Sequence, residues 1–457
     1  MIRPSNVAAL ALLLAVATPA AAQSGPVARD FKAVADRIID AALADSAGAW
    51  NTLARFTDYS GSRLSGSPAL ERGIDWLLAE MKTSGLDGVH PEPAMVPHWV
   101  RGHESATLVA PRAQNLPMLG LGGSIGTPKG GAQAEVLVVT SFDDLTAKAS
   151  QAKGKIVLFD VPFTNYGQTV AYRGGGASAA AKVGAIAALV RSVTPYSMRT
   201  PHTGAMNYAP DVAKIPTAAI TVEDAMMIHR MVNRGERVVV RLEMEAQTLP
   251  DAPSRNVVGE VRGREHPDEV VVFGGHIDSW DVGQGAMDDG GGVVVAWEAL
   301  KLLKKLGLTP RRTIRVVGWT NEENGDRGGI AYADSHKADA AKHVLAIESD
   351  GGVFSPTGFG FTGSDSARAI LRDVSSLLAR IGAGNLGANG GGADVGPLGQ
   401  LGVPMMGLEV DGSKYFWFHH TDADTMDKLN PAEMQRCVAV MAVMAYVVAE
   451  MPTRLPR

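Results

Sequence analysis

Cysteine is nearly absent: Cys437 is the sole one among 457 residues. It can form no disulfide within the chain, and its neighbours Val438, Val440 and Met441 predict a buried structural thiol. Charge of one sign is scarce as well. The formal net charge is -5 and no block of like charge occurs, so nothing favours nucleic acid or an anionic membrane surface as a partner. Long apolar runs are missing beyond the N-terminus. No later stretch offers ~18 uninterrupted apolar residues, and no membrane span is expected there. The N-terminus itself, with Arg3, the apolar run Val7 to Ala17 and then Ala20-Ala21-Ala22, has the layout of a secretory signal. Cleavage is expected after Ala22, leaving an exported product, periplasmic or secreted. The run is too short, and too soon interrupted by Pro19, to persist as a spanning helix. No cysteine follows the signal to carry a bacterial lipid anchor.

What is present is glycine, 52 residues of it, well above an ordinary share of ~7%. Close turns and close backbone approaches should be frequent. A soft rule of ~150 residues per domain allows two or three domains. After the signal (1–22), residues 23–94 read as helical, with Ile38, Ile39, Ala42, Leu53, Phe56, Ile74, Leu77 and Met81 at three- and four-residue spacing. A loop interrupts them at Gly61 to Ser67. Residues 95–245 change character: short β-like runs such as Ala134 to Val139, Ile156 to Phe159 and Val238 to Leu242 dominate, with a small-residue helix over Ala177 to Val183. This segment carries no cluster of titratable residues and reads as a structural or substrate-shaping insert. From 246 to 457, β and α elements alternate, the pattern of an α/β domain whose central, mostly parallel sheet is flanked by helices. The early helical segment has no sheet of its own and is expected to pack on this domain.

Candidate functional residues lie at the ends of three apolar runs in that last segment. His276 and Asp278 follow Val270 to Phe273; Glu322 and Glu323 follow Ile314 to Trp319; Asp350 follows Val344 to Ile347. Short continuous apolar runs indicate strands buried on both faces. In such sheets ligands bind beyond the carboxyl ends of the strands, so three strands would deliver their polar residues to one edge. Taken singly, each has a blander reading. Asp288-Asp289 before three glycines could be a solvated turn, Glu322-Glu323 a helix N-terminus, and Asp350-Gly351-Gly352 an ordinary turn. Together with His420 they have the chemistry of a two-metal site.

Two divalent ions ~3.5 to 4 Å apart need a shared anionic bridge, which Asp288 can supply. His276 with Asp350, and His420 with Glu323, would complete the two ligand sets. Asp278 is spaced to accept the other N–H of His276 and fix its tautomer. Water between the metals would be the nucleophile, with Glu322 as the general base. Adjacent glutamates reach one cavity only if the strand has ended, and Asn321 and Asn324-Gly325 support an ending there. Nitrogen and oxygen ligands without thiolate suit two Zn2+ per chain, with Co2+ or Mn2+ feasible.

The runs Gly275 to Ser279, Gly285 to Gly290, Asn321-Glu322-Glu323, Glu348-Ser349-Asp350 and His420 to Thr425 resemble, in order, the motifs of the di-zinc exopeptidases that include bacterial leucyl aminopeptidase and glutamate carboxypeptidase. Ser279 to Gly285 and Tyr415 to His420 carry a closer likeness to one branch of that family. Gly154 to Leu158 and Ala180 to Ala185 resemble a protease-associated domain. The resemblance implies hydrolysis of small peptides near a free terminus, usually by a homodimer. It selects His420 over His419 as the ligand, because Thr421 to Thr425 anchor the alignment. Asn389 to Asp394 matches a loop near the substrate in relatives, but Ala393 stands where serine is common, and no role is assigned to that loop. Amino-, carboxy- and dipeptidase specificity remain open. So do two other classes: a non-catalytic binding protein on the same fold, and a single-zinc glutaminyl cyclase.

Overall fold

The computed structural model describes residues 25–457; the expected signal lies outside them. Two eight-stranded sheets organise the described residues. In the first, the strands run in the order Asp87–Val100, Gln247–Val261, Arg312–Trp319, His266–His276, His343–Glu348, Met405–Val410, Pro356–Thr362, Asn385–Gly387. Its four central strands, from Arg312–Trp319 to Met405–Val410, are parallel. Antiparallel pairs border them on both sides, so the sheet is mixed and only its centre matches the expected parallel layout. That centre is apolar on both faces because helices cover both.

One face packs against the helices Pro26–Ala44, Gly48–Ser60, Pro68–Thr83, Gly291–Lys305 and Pro431–Glu450 in a single core that includes Ile38, Phe56, Leu77, Trp297, Phe273 and Met441. The early helices therefore do join the later domain. Their ends are well capped: Ser67 Oγ accepts from the Leu70 N–H ahead of Pro68, while the Asp373 carboxylate accepts from Val27 N and Ala28 N across the fold. Side chains of the Ncap type and a proline in the first turn are the usual helix-start chemistry. Pro431–Glu450 is long and apolar enough to cross a membrane, but 83% of its window is buried in this core. Cys437 lies in the same helix, fully buried, as its neighbours predict.

The second sheet runs Gln114–Leu116, Glu104–Ala110, Val239–Met244, Ala132–Val139, Ile156–Phe159, Ala187–Arg191, Thr217–Ile220, Met118–Gly120. Four consecutive strands, from Ala132–Val139 to Thr217–Ile220, are parallel, with the helices Tyr166–Lys182 and Val222–Asn233 beside them. This region is thus α/β in its own right and less purely β than its sequence suggests. The helix expected from Ala177 begins eleven residues earlier, at Tyr166, where Asn165 Oδ1 caps Gln168 N. The strand Asp87–Val100 belongs to the first sheet and spans position 95. It pairs antiparallel with Gln247–Val261, from Asp87↔Glu260 to Val100↔Gln247, so the chain leaves for the second sheet and returns from it on adjacent strands.

Candidate metal centre

The register of the parallel strands brings the candidate residues to one edge. His276, the last residue of its strand, is level with Trp319, and Gly274 is level with Glu348. The segments that follow Trp319 and Glu348 therefore converge beside His276. Two glycines make the approach tight enough. A Cβ on Gly275 would collide with Asp289 Oδ2, and one on Gly292 with Ser349 O. The strand Arg312–Trp319 ends before the glutamates, with Asn321 in the left-handed region at φ 68. That break lets Glu322 and Glu323 face the same cavity, as the neighbouring asparagines suggest.

Asp288 stands at the centre. Its Oδ1 is 3.2 Å from His276 Nε2 and its Oδ2 is 3.4 Å from His420 Nε2. Each histidine has a carboxylate of its own: Asp350 Oδ1 is 3.4 Å from His276 Nε2, and Glu323 Oε2 is 3.0 Å from His420 Nε2. Glu322 Oε2 lies 3.9 Å from His276 Nε2. All five expected ligands and the expected base are thus in one cluster. His276, Asp288 and Asp350 offer one group of donor atoms within 4.8 Å of one another. A second such group is Asp288 with His419 and His420. His419 is thus nearer than its sequence neighbourhood suggests: its ring stacks on that of His420 at 3.5 Å, although its Nε2 is farther from Asp288 Oδ2, at 3.7 Å. Asp350 and Glu322 keep 26% and 22% side-chain exposure, whereas His276 is sealed. The cavity opens on their side.

A set of buried acids behind the cluster fixes the loops. Asp278 is placed differently from its expected role. The His276 Nδ1 bond runs to the Asp278 backbone carbonyl at 3.0 Å, and the Asp278 carboxylate, 3.7 Å from Nδ1, instead accepts from Glu322 N and Glu323 N at 3.0 and 3.3 Å. The turn after Trp319 brings those amides nearer than the imidazole edge. Asp289 accepts from His276 N and Gly292 N, and Asp424 from Ala286 N, Met287 N and Asp288 N. Arg63, fully buried, donates to the carbonyls of Ile277, Gln284 and Gly285. The sequence assigned none of these pairings, although Asp289 and Asp424 lie within the runs Gly285 to Gly290 and His420 to Thr425.

This crowding governs protonation. Burial alone would depress His276, but the carboxylates of Asp278, Asp288 and Asp350 outweigh it and hold the imidazole well above its usual range. Burial likewise opposes His420, which Glu323 and Asp288 raise to about 9. Burial raises Glu322 well above the carboxylate range, with Asp350 and Glu323 adding to it against His276. Burial and Asp288 push Asp424 up to about 7. His276 Nε2 and Asp288 Oδ2 have no hydrogen-bond partner, although both are buried. A cavity with this surplus of buried carboxylate and unsatisfied lone pairs has the donor chemistry of a cation site.

The second sheet also reaches the cluster. Arg173 of the helix Tyr166–Lys182 lies 3.4 Å from His420 Nδ1 and donates to Tyr166 OH at 2.7 Å. His202 Nδ1 donates to His419 O at 2.7 Å. These residues are scattered singles in a segment read as bland, and no motif could have found them.

The profile of peptidase family M28 matches residues 256–445. Carboxypeptidase Q of Xenopus laevis is 51% identical over 93% of this chain and 92% of its own length. Human carboxypeptidase Q is 50% identical over 93% of this chain and 90% of its own. A peptidase M28 precursor from Shewanella amazonensis, solved by crystallography, superposes with a TM-score of 0.91 at 37% identity, covering 94% of this chain and 99% of that one. The closer likeness carried by Ser279 to Gly285 and Tyr415 to His420 is to the carboxypeptidase Q branch.

Proposed function

The chain belongs to peptidase family M28 and is a peptidase, and from that premise we propose that it is an exported di-zinc exopeptidase acting on dipeptides and other small peptides. The observation that carries this reading is the sharing of Asp288: one carboxylate faces two histidines, each of which has a second carboxylate. The donors are imidazole nitrogen and carboxylate oxygen, with no thiolate, which fits zinc and leaves Co2+ or Mn2+ feasible. His276, Asp288 and Asp350 would hold one ion and Asp288, Glu323 and His420 the other. Bound there, the metals supply Lewis-acid stabilisation of charge on the scissile carbonyl and lower the pKa of water. Glu322, at the open side of the cluster, takes the proton of the attacking water on Oε2 and returns it to the departing amine nitrogen. Asp278 positions that base by holding the amides of Glu322 and Glu323.

Residues 95–245 we read as a protease-associated-like insert in a catalytic domain formed by 23–94 and 246–457. The pairing of the strands on either side of it supports insertion. Export rests on Arg3, Val7 to Ala17 and Ala20 to Ala22, and homodimerisation on family likeness.

A panel of dipeptides, with N-acetylated and C-amidated versions of each, tests the reading on the metal-loaded protein against a chelator control. Chelator-sensitive cleavage that needs both free ends is the expected result. Cleavage that survives amidation and not acetylation would make it an aminopeptidase of broad N-terminal specificity, and the reverse a carboxypeptidase. No cleavage of any member would favour a non-catalytic binding protein.

A further inference from the structure

The two halves of the cluster are held by different parts of the molecule. On the His276 side every restraint comes from the first sheet and its loops: the imidazole Nδ1 donates to Asp278 O and the backbone N–H to Asp289 Oδ2. On the other side, His420 sits at φ 61, a left-handed conformation that a residue with a side chain rarely adopts. Its partner is Thr203, in the loop between the strands Ala187–Arg191 and Thr217–Ile220 of the second sheet. The Thr203 N–H donates to His420 O at 3.0 Å, and His420 Nδ1 lies 3.3 Å from Thr203 O. The outer edge of the ring is thus occupied by the Thr203 carbonyl and, at 3.4 Å, by Arg173 Nη1, and Nε2 is turned toward Asp288 and Glu323.

Thr203 is itself fastened to the metal-side loop. Its Oγ1 donates to Gly120 O at 2.7 Å. Arg101 donates to the same carbonyl at 2.6 Å and, through Nε, to Asp281 Oδ2 at 2.8 Å. Beside Asp281, the buried Trp280 ring lies so close to Gly122 that a Cβ there would collide with it, and it is 5.6 Å from the His420 ring. The path from His420 through Thr203, Arg101 and Asp281 back to the loop after His276 is therefore continuous.

We infer that Thr203 is the positioning residue of His420, so that the insert sets the ring orientation and backbone geometry of one half of the metal site, while the His276 ring and amide are held from the first sheet. This rests on the two-metal reading above. A ligand histidine whose outer N–H partner is lost gives up ~10- to 100-fold in metal affinity.

The test is metal affinity by competition with a calibrated chelator, together with ion count by mass spectrometry, and needs no substrate. Thr203→Pro deletes the N–H that His420 O accepts. Gly122→Ala, by a separate route, pushes Trp280 out of its notch. The wild-type protein is expected to bind two ions, and both variants to bind one as tightly as wild type and the other at least tenfold more weakly. Should Thr203→Pro fail to fold, Gly122→Ala carries the comparison. Two ions at wild-type affinity in the folded variants, or equal weakening of both ions, would overturn the inference and leave the two-metal reading standing. A wild-type protein that binds fewer than two ions would overturn that reading and the inference with it.

Discussion

The two sheets of this peptidase have eight strands each, and they contribute unlike things to one cavity. The first delivers an imidazole and acids: His276, Asp278, Glu322, Glu323 and Asp350 lie at or just beyond the carboxyl ends of buried parallel strands, where register fixes the level of each chain. The second delivers a guanidinium and main chain: Arg173, and the backbone of Thr203 with the ring of His202, all against His419 and His420. The candidate ligands therefore gather at the edge of one sheet, while the surroundings of one histidine come from the other. A site divided in this way can keep its reaction while its cover diverges.

The sharpest break of that division is Asp288→Asn. It removes the carboxylate both histidines face, and hydrolysis is expected to fall to background with both ions lost, which metal analysis beside a dipeptide assay will read. Trp280→Ala attacks the joint between the sheets. It empties a buried notch, and a loss of ~3–5 kcal/mol of stability is expected, seen as an earlier denaturant midpoint; an unchanged midpoint would mean the sheets are not coupled through this ring. Arg173→Met removes the guanidinium that the second sheet brings to the cluster. A charge-assisted hydrogen bond is worth ~1.5–3 kcal/mol, so kcat/KM is expected to drop roughly 10- to 100-fold while Asp288-dependent metal binding persists.

A control remote from the cavity has the smallest effect on hydrolysis. Burial, helped by Arg315, lowers His343 of the first sheet to about 4 from 6.5, and its Nε2 accepts from Tyr332 OH. A base depressed in the fold stabilises the protein fully above its unfolded pKa. That contribution is lost as pH falls from 6.5 to about 4, where the unfolded chain takes up a proton that the folded one does not. His343→Gln should flatten this part of the stability curve by up to about 3 kcal/mol, with hydrolysis at neutral pH unchanged. An acid slope identical to wild type would assign it to other groups.

Much of the first sheet was legible in the sequence because burial on both faces writes apolar runs, and ligand residues directly after them write motifs. His276, Glu322, Glu323 and Asp350 could be named for that reason, whereas Asp288 and His420 were carried by the runs Gly285 to Gly290 and His420 to Thr425 that resemble family motifs. What could not be read is whatever acts through the main chain or from far away in sequence. Asp278 was assigned to the His276 ring, yet its carboxylate holds the Glu322 and Glu323 amides, a choice made by the turn after Trp319. Arg63 lies in a loop more than two hundred residues from the carbonyls it binds. Arg173 and His202 sit in a segment with no titratable cluster of its own, because their partners are in another sheet. The antiparallel margins of the first sheet escaped too, since alternation of β and α says which strands are buried but not which way an edge strand runs.

The central claim is that Glu322 moves the proton at a site whose metals are held by its neighbours. Replacing Glu322 with Gln keeps shape and removes the basic oxygen, so the most direct measurement is kcat for a dipeptide together with metal content in that variant. Expected are two ions per chain with kcat lowered by ~10²- to 10⁴-fold. Wild-type turnover with both ions in place would contradict the assignment.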